Sequence, residues 1–175
     1  MVIKEKRFVK YIKQEDIDKK VKSMARKINA DYKEKTPLFI AILNGSFIFA
    51  ADIFKEIKID CRISFVKVAS YEEMESTGNV KQLIGLNENI FQKDVIILEY
   101  IIDTGKTITK IYDEFLSLGA ASVEIVSLLQ KPTALKAPIN VKYVGFDIPD
   151  KFVLGYGLDY DGLGRNTKDI YQLKE

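Results

Sequence analysis

Five short apolar runs set the terms of the fold: PLFIAIL at 37–43, RISFVKV at 62–68, DVIILE at 94–99, VEIVSLL at 123–129 and VKYVGF at 141–146. Each has the length of a strand, and the stretches between them carry helical periodicity. Residues 15–35 place Ile17, Val21, Met24, Ala25 and Ile28 on one face behind an acidic start. Residues 46–57 read as a second helix with Ser46 as candidate cap, and residues 104–118 as a third, closed by Gly119. Strands alternating with helices give βαβ units and a mostly parallel sheet covered on both faces. In such sheets ligands gather beyond the carboxyl ends of the strands, which is where the polar group at 99–107 falls.

Composition narrows the chemistry. The 175 residues suit one domain, and 47% hydrophobic with 30% charged residues is the profile of a soluble globular chain. The longest apolar stretch, 38–54, is interrupted by Asn44, Gly45, Ser46 and Asp52, so no membrane span is expected. No continuous apolar segment follows the basic first residues, so no secretory signal is expected either. The one cysteine, Cys61, reads as a small buried hydrophobe in a reducing cytoplasm. A net charge of +2 argues against a nucleic-acid partner. The absence of histidine excludes the usual zinc sites, Ser-His-Asp triads and Cys-His dyads. What remains is carboxylates, lysines, arginines, hydroxyls, backbone amides and a hard cation on oxygen.

Asp103-Thr104-Gly105-Lys106-Thr107 stands between a strand and a helix. Open amides at a helix start and the positive end of its dipole favour an anion there, and glycine lets the backbone come close. An ordinary capped helix start is the other reading of the same five residues. A P-loop is ruled out, because that motif needs glycine where Tyr100 stands.

The whole run VIILEYIIDTGKT, 95–107, is more specific. It resembles the PRPP (phosphoribosyl pyrophosphate) motif of the type I phosphoribosyltransferases: apolar residues, two acids, two apolar residues, then Asp-Thr-Gly-x-Thr. Its wording is most similar to the purine-salvage branch, the hypoxanthine and hypoxanthine-guanine enzymes. A second matching stretch is IPDKFVLGYGLDYDGLGRN, 148–166, and the likeness runs along nearly the whole chain.

The resemblance implies a type I phosphoribosyltransferase fold, a mostly parallel twisted sheet flanked by helices. It implies a core at about 15–146 and a small hood from about 1–14 and 147–175. The activity it implies is transfer of the phosphoribosyl group of PRPP to hypoxanthine, with guanine as a further base. Magnesium would be the cofactor, the cytoplasm the location, and a homodimer or homotetramer the assembly. Its other partners would be small molecules: a 6-oxopurine, pyrophosphate and a nucleoside monophosphate. No nucleic acid and no membrane enter.

Residue by residue, it implies that Asp103 is the general base near the purine N7, and that Thr104, Gly105, Lys106 and Thr107 hold the 5′-phosphate. Asn44 and Gly45 would face the pyrophosphate from a loop whose preceding peptide bond is often cis. Arg165 would clamp the same group. Ser70 and Tyr71 would head a mobile loop that closes over the reacting atoms, in a polar stretch, 71–83, that reads as a loop or hairpin. Lys131 would donate to the purine O6, and Phe152 would stack on the ring. Lys151 and Val153 would offer backbone groups at the base edge. Asp159 would hold the metal beside the base, with Glu99 as its second protein ligand.

One position departs from the pattern. Tyr100 takes the place of the second acid that, with Glu99, would grip the ribose. A phenol is neutral near pH 7, so the site lacks one negative charge. The change can be tolerated, with the hydroxyl reaching the ribose or a water. It can weaken the enzyme, or it can mark a PRPP- or nucleotide-binding regulatory relative.

Overall fold

The computed structural model describes residues 1–67 and 85–174. The polar stretch at 71–83, and with it Ser70 and Tyr71, lies outside the described residues. In chain order the elements are β1 (Val2–Ile3), β2 (Lys6–Ile12), α1 (Gln14–Asp31), β3 (Leu38–Leu43), α2 (Phe47–Lys55) and β4 (Arg62–Lys67). There follow β5 (Asp94–Ile102), α3 (Lys106–Ser117), β6 (Ser122–Gln130), β7 (Tyr143–Asp147), β8 (Val153–Leu154) and β9 (Ile170–Leu173).

The apolar runs become a five-stranded sheet in the order β4-β3-β5-β6-β7, every pair parallel. The two-residue period of a strand sorts its side chains onto two faces. Phe39, Ala41, Ile96, Leu98 and Tyr100 pack with Ile17, Val21 and Ile28 of α1 and Phe49 and Ile53 of α2. Leu38, Ile40, Val95 and Ile97 pack with Ile108, Ile111 and Phe115 of α3. Strands buried on both sides explain why these runs are apolar without alternation. Cys61 is half-buried against the first cluster rather than fully enclosed.

Helix ends follow local chemistry. Beyond α3, Gly119 takes φ +82 while its N–H donates to Leu116 O and the Ala120 N–H to Phe115 O. That is the paired closure a left-handed residue permits. Ser46 departs from expectation: it precedes α2 but makes no side-chain cap, because its buried hydroxyl donates back to the carbonyl of Ile42.

A second, smaller sheet runs β1-β2-β9-β8, all antiparallel. It pairs the two ends of the chain, Phe8 opposite Leu173 and Val9 opposite Gln172. Asp169 fastens it to the first helix by accepting the Gln14 backbone N–H at 2.9 Å.

Candidate active site

The carboxyl end of β5 opens into a cleft of about 210 Å³. Glu99, Ile102, Asp103, Thr104, Gly105 and Thr107 line it. Gly105 stands just before α3 with φ +78 and has no side chain to cap it; among its first amides, that of Lys106 makes only a long 3.5 Å bond to Thr104 Oγ1. A Cβ at Gly105 would lie 3.4 Å from Leu135 and Ile139, an ordinary contact, so it is the left-handed backbone rather than the packing that asks for glycine. Amides, hydroxyls and a helix start together form an anion-binding surface. Lys106 is exposed beside it.

Glu99 sits in the cleft, half-buried, and accepts the Tyr100 backbone N–H at 2.8 Å. Burial pushes its carboxyl up to about 7, against the pull of the Tyr100 and Ile101 amides. Tyr100 points the other way. It is fully buried in the core, and its hydroxyl donates to the carbonyl of Gly155 at 3.0 Å. Burial drives its ionisation far above the ordinary phenol range. The expectation that this hydroxyl reaches the ribose or a water in the site is therefore corrected. Glu99 and residue 100 are neighbours on a strand and must face opposite sides of the sheet.

Across the sheet edge, Lys131 follows β6 with only 7% of its surface exposed. Its ammonium lies 2.8 Å from Asp103 Oδ2 and 3.1 Å from Asp150 Oδ1. Burial lowers the proton affinity of this lysine, but the hydrogen bonds to the two carboxylates outweigh it and leave the pKa raised. Asp150 was not among the residues the sequence pointed to. Its only signal is a place in IPDKF, ahead of Lys151 and Phe152.

The remaining candidates gather around a hairpin between Gly155 and Arg165. Asp159 lies 2.6 Å from Arg165 Nη2 and also accepts the Gly162 N–H at 2.7 Å. Arg165 Nη1 donates to Gly157 O at 2.7 Å. The hairpin presses on the loop after β3, where the Leu43–Asn44 peptide bond is cis. A Cβ on Gly157, whose φ is +111, would fall 2.3 Å from the Gly45 carbonyl oxygen, so only glycine allows this approach. Asn44 is exposed on the loop. Phe152 keeps 43% exposure beside Phe8 and Tyr160, with ring centres 6.2 and 5.8 Å away. Val153 is buried in β8, opposite Gln172, and Lys151 is exposed just before it.

No group of three or more His, Cys, Asp or Glu side chains able to hold a metal occurs among the described residues. Glu99 and Asp159 offer hard oxygen donors without forming a cage. That donor set suits a cation held by one or two carboxylates and completed by phosphate oxygens.

Comparison with known proteins gives one consistent answer. Residues 10–161 match the family described as phosphoribosyl transferase domain. The hypoxanthine-guanine phosphoribosyltransferase of Staphylococcus epidermidis is 44% identical over 164 residues, 93% of this chain and 92% of that protein. The Bacillus subtilis protein of the same name is 40% identical over 93% of this chain and 91% of its own length. Among solved structures, a hypoxanthine phosphoribosyltransferase from Staphylococcus aureus superposes with a TM-score of 0.86 at 41% identity, covering 95% of this chain and 91% of that one. A hypoxanthine-guanine phosphoribosyltransferase from Bacillus anthracis gives 0.87 at 35% identity, covering 97% and 99%.

Proposed function

The chain belongs to the phosphoribosyl transferase family, and from that premise we propose that it is a purine-salvage enzyme. It transfers the 5-phosphoribosyl group of PRPP to hypoxanthine, giving IMP and pyrophosphate, and takes guanine to GMP in the same way. The observation that carries this reading is the Asp103–Lys131 pair at 2.8 Å, beside the phosphate-binding start of α3. A proton acceptor and a donor for a 6-oxo group stand side by side where the base would meet the sugar.

In the reaction, purine N9 forms a bond to C1′ as the bond from C1′ to the pyrophosphate oxygen breaks. The N7 proton passes to the carboxylate of Asp103, which also offsets positive charge developing on the ribose. Thr104, Gly105, Lys106 and Thr107 hold the 5′-phosphate through amides, hydroxyls and the helix start. Asn44, Gly45 and Arg165 take the pyrophosphate, the arginine through its planar fork. Lys131 donates to O6, so adenine, with an amine there, would set donor against donor. Phe152 stacks on the ring, and the backbone of Lys151 and Val153 meets the base edge.

A divalent cation, magnesium in this reading, neutralises the diphosphate when bound. Asp159 and Glu99 would hold it. Ser70 and Tyr71 would belong to the loop that excludes water from the activated C1′. We read residues 1–14 and 147–175 as a hood over a core at 15–146, within one domain. The assembly is read as a homodimer or homotetramer, in the cytoplasm; no helix among the described residues is long and apolar enough to cross a membrane. Nothing in the site favours a regulatory relative, since the buried hydroxyl of Tyr100 has its partner outside the cleft.

The test is IMP formation from PRPP and hypoxanthine, with and without magnesium, with adenine as the control base. The expected result is magnesium-dependent IMP and no AMP. Asp103→Asn should lower kcat by about 10²- to 10⁴-fold, the usual range for a positioned acid or base. No IMP from the intact protein would overturn the reading.

A further inference from the structure

We propose that Asp150 is a positioning residue: it holds the Lys131 ammonium, charged and aimed at the 6-oxo group, while Asp103 takes up the purine proton. The inference rests on the reading above that Asp103 and Lys131 face the base.

Lys131 is held from several sides. Its backbone is pinned, the N–H donating to Ile102 O at 2.9 Å and the carbonyl accepting the Ala134 N–H at 3.0 Å. The side chain is 9% exposed, whereas those of Asp103 and Asp150 are 50% and 62% exposed. A nearly buried cation thus lies between two carboxylates that water reaches. The charged groups bearing on it are Asp103, from the loop after β5, and Asp150, from the segment after β7. On its own turn the neighbours are Gln130, Pro132 and Thr133, all uncharged. An ammonium has three N–H donors, so with two engaged one remains for O6.

The reaction then removes one of the two counter-charges. As the N9–C1′ bond forms, the N7 proton arrives on Asp103 and cancels its charge. With Asp103 as sole partner, that step would strand a buried cation, which is costly in a poorly solvated place. Asp150 takes no part in the transfer and stays ionised, so the lysine keeps a counter-ion throughout. Its position is fixed by the segment around it. The Ile148 N–H donates to Gln130 O at 2.8 Å and the Leu173 N–H to Phe152 O at 2.9 Å, tethering both ends. The same segment carries Phe152, so Asp150 also ties the stacking residue to the lysine that reads the base.

The experiment follows IMP binding by calorimetry from about pH 6 to 10, together with turnover, for the intact protein, Asp150→Asn and Asp150→Glu. Ratios of affinity cancel the titration of the nucleotide itself. Near pH 6, where the lysine is charged in all three, Asp150→Asn should bind IMP within about threefold of the intact protein. Its affinity should then fall at a pH about one unit lower, the shift expected from losing one adjacent opposite charge, so that its affinity relative to the intact protein drops by about two- to threefold between pH 6 and 10. Its kcat on hypoxanthine should drop while KM for PRPP holds, and Asp150→Glu should recover most of both. A ratio for Asp150→Asn that stays flat with pH, or an equal loss in Asp150→Glu, would overturn the proposal. Missing turnover in the intact protein, with the IMP ratios as expected, would sink the activity proposed above and leave the role of Asp150 standing.

Discussion

The two stretches that furnish the site are built on opposite plans. From Glu99 to Thr107 the chain turns its polar groups to the cleft: Asp103 pairs with Lys131 and Glu99 accepts the Tyr100 N–H, but the start of α3 carries only a long 3.5 Å bond from the Lys106 N–H to Thr104 Oγ1. From Gly155 to Arg165 it ties them to itself: Asp159 holds Arg165 and Gly162, Arg165 holds Gly157, and Gly155 receives the Tyr100 hydroxyl. The first stretch can accept an anion as it stands. To take the pyrophosphate as proposed, the second would have to exchange internal bonds for ligand bonds, so its contribution to affinity would be a difference between two similar interactions. On that reading a preformed anchor and a self-satisfied clamp would divide the substrate between them.

The contrast is most easily broken at Tyr100, the residue that joins the two plans. Tyr100→Asp supplies the acid of the family pattern, but it puts a carboxylate where the ring is fully buried. A loss of about 3–5 kcal/mol is expected in denaturant unfolding, the scale of an uncompensated buried charge. Tyr100→Phe removes only the bond to Gly155 O and should cost about 1–2 kcal/mol. A Tyr100→Asp protein as stable as its parent would show that the ring does not belong to the core.

Arg165→Lys sharpens the other side of the comparison. A lysine keeps the charge but cannot bridge Asp159, Gly157 O and a diphosphate with one planar fork. KM for PRPP should rise about tenfold, equivalent to about 1.4 kcal/mol, with kcat nearly unchanged. An effect on kcat alone would move Arg165 from binding to the chemical step.

The smallest effect concerns Glu99. Its carboxyl ionises near 4.5 in the open chain and near 7 in the fold, because burial disfavours the charge. Between those values the folded protein binds more protons than the unfolded one, so stability falls as pH rises and the loss is complete above about 7. Solvent in the cleft screens the charge, so the change should be about 1 kcal/mol or less. Melting temperatures taken across that window should decline for the intact protein and stay level for Glu99→Gln. Equal slopes would remove Glu99 as their source.

Much of this was legible in the sequence because it depends on local pattern. The apolar runs named the five parallel strands, and Gly119 marked the end of α3. The direction of Tyr100 was also there to be read: Ile96, Leu98 and Tyr100 share a strand face, and motif likeness obscured that simple alternation. The smaller sheet was not legible strand by strand. β1, β8 and β9 are two to four residues long, and Phe8 of the longer β2 finds its partner at Leu173, at the far end of the chain. Ser46 carried a capping signal, but its hydroxyl is engaged by the carbonyl of Ile42 instead. Asp150 gave no local signal, since its meaning comes from a lysine on one element and an aspartate on another.

The pairing of the chain's two ends has a mechanical consequence. Because β2 and β9 are antiparallel, with Phe8 opposite Leu173, the chain enters β2 and leaves β9 at the same end of the ladder. Tension between residues 1 and 174 first peels β1 and then loads the bonds of that ladder one rung at a time, as a zipper opens, instead of sharing the load as in shear. The smaller sheet would peel first, at low force, and release Asp169 from the start of α1 while the five parallel strands still carried no load.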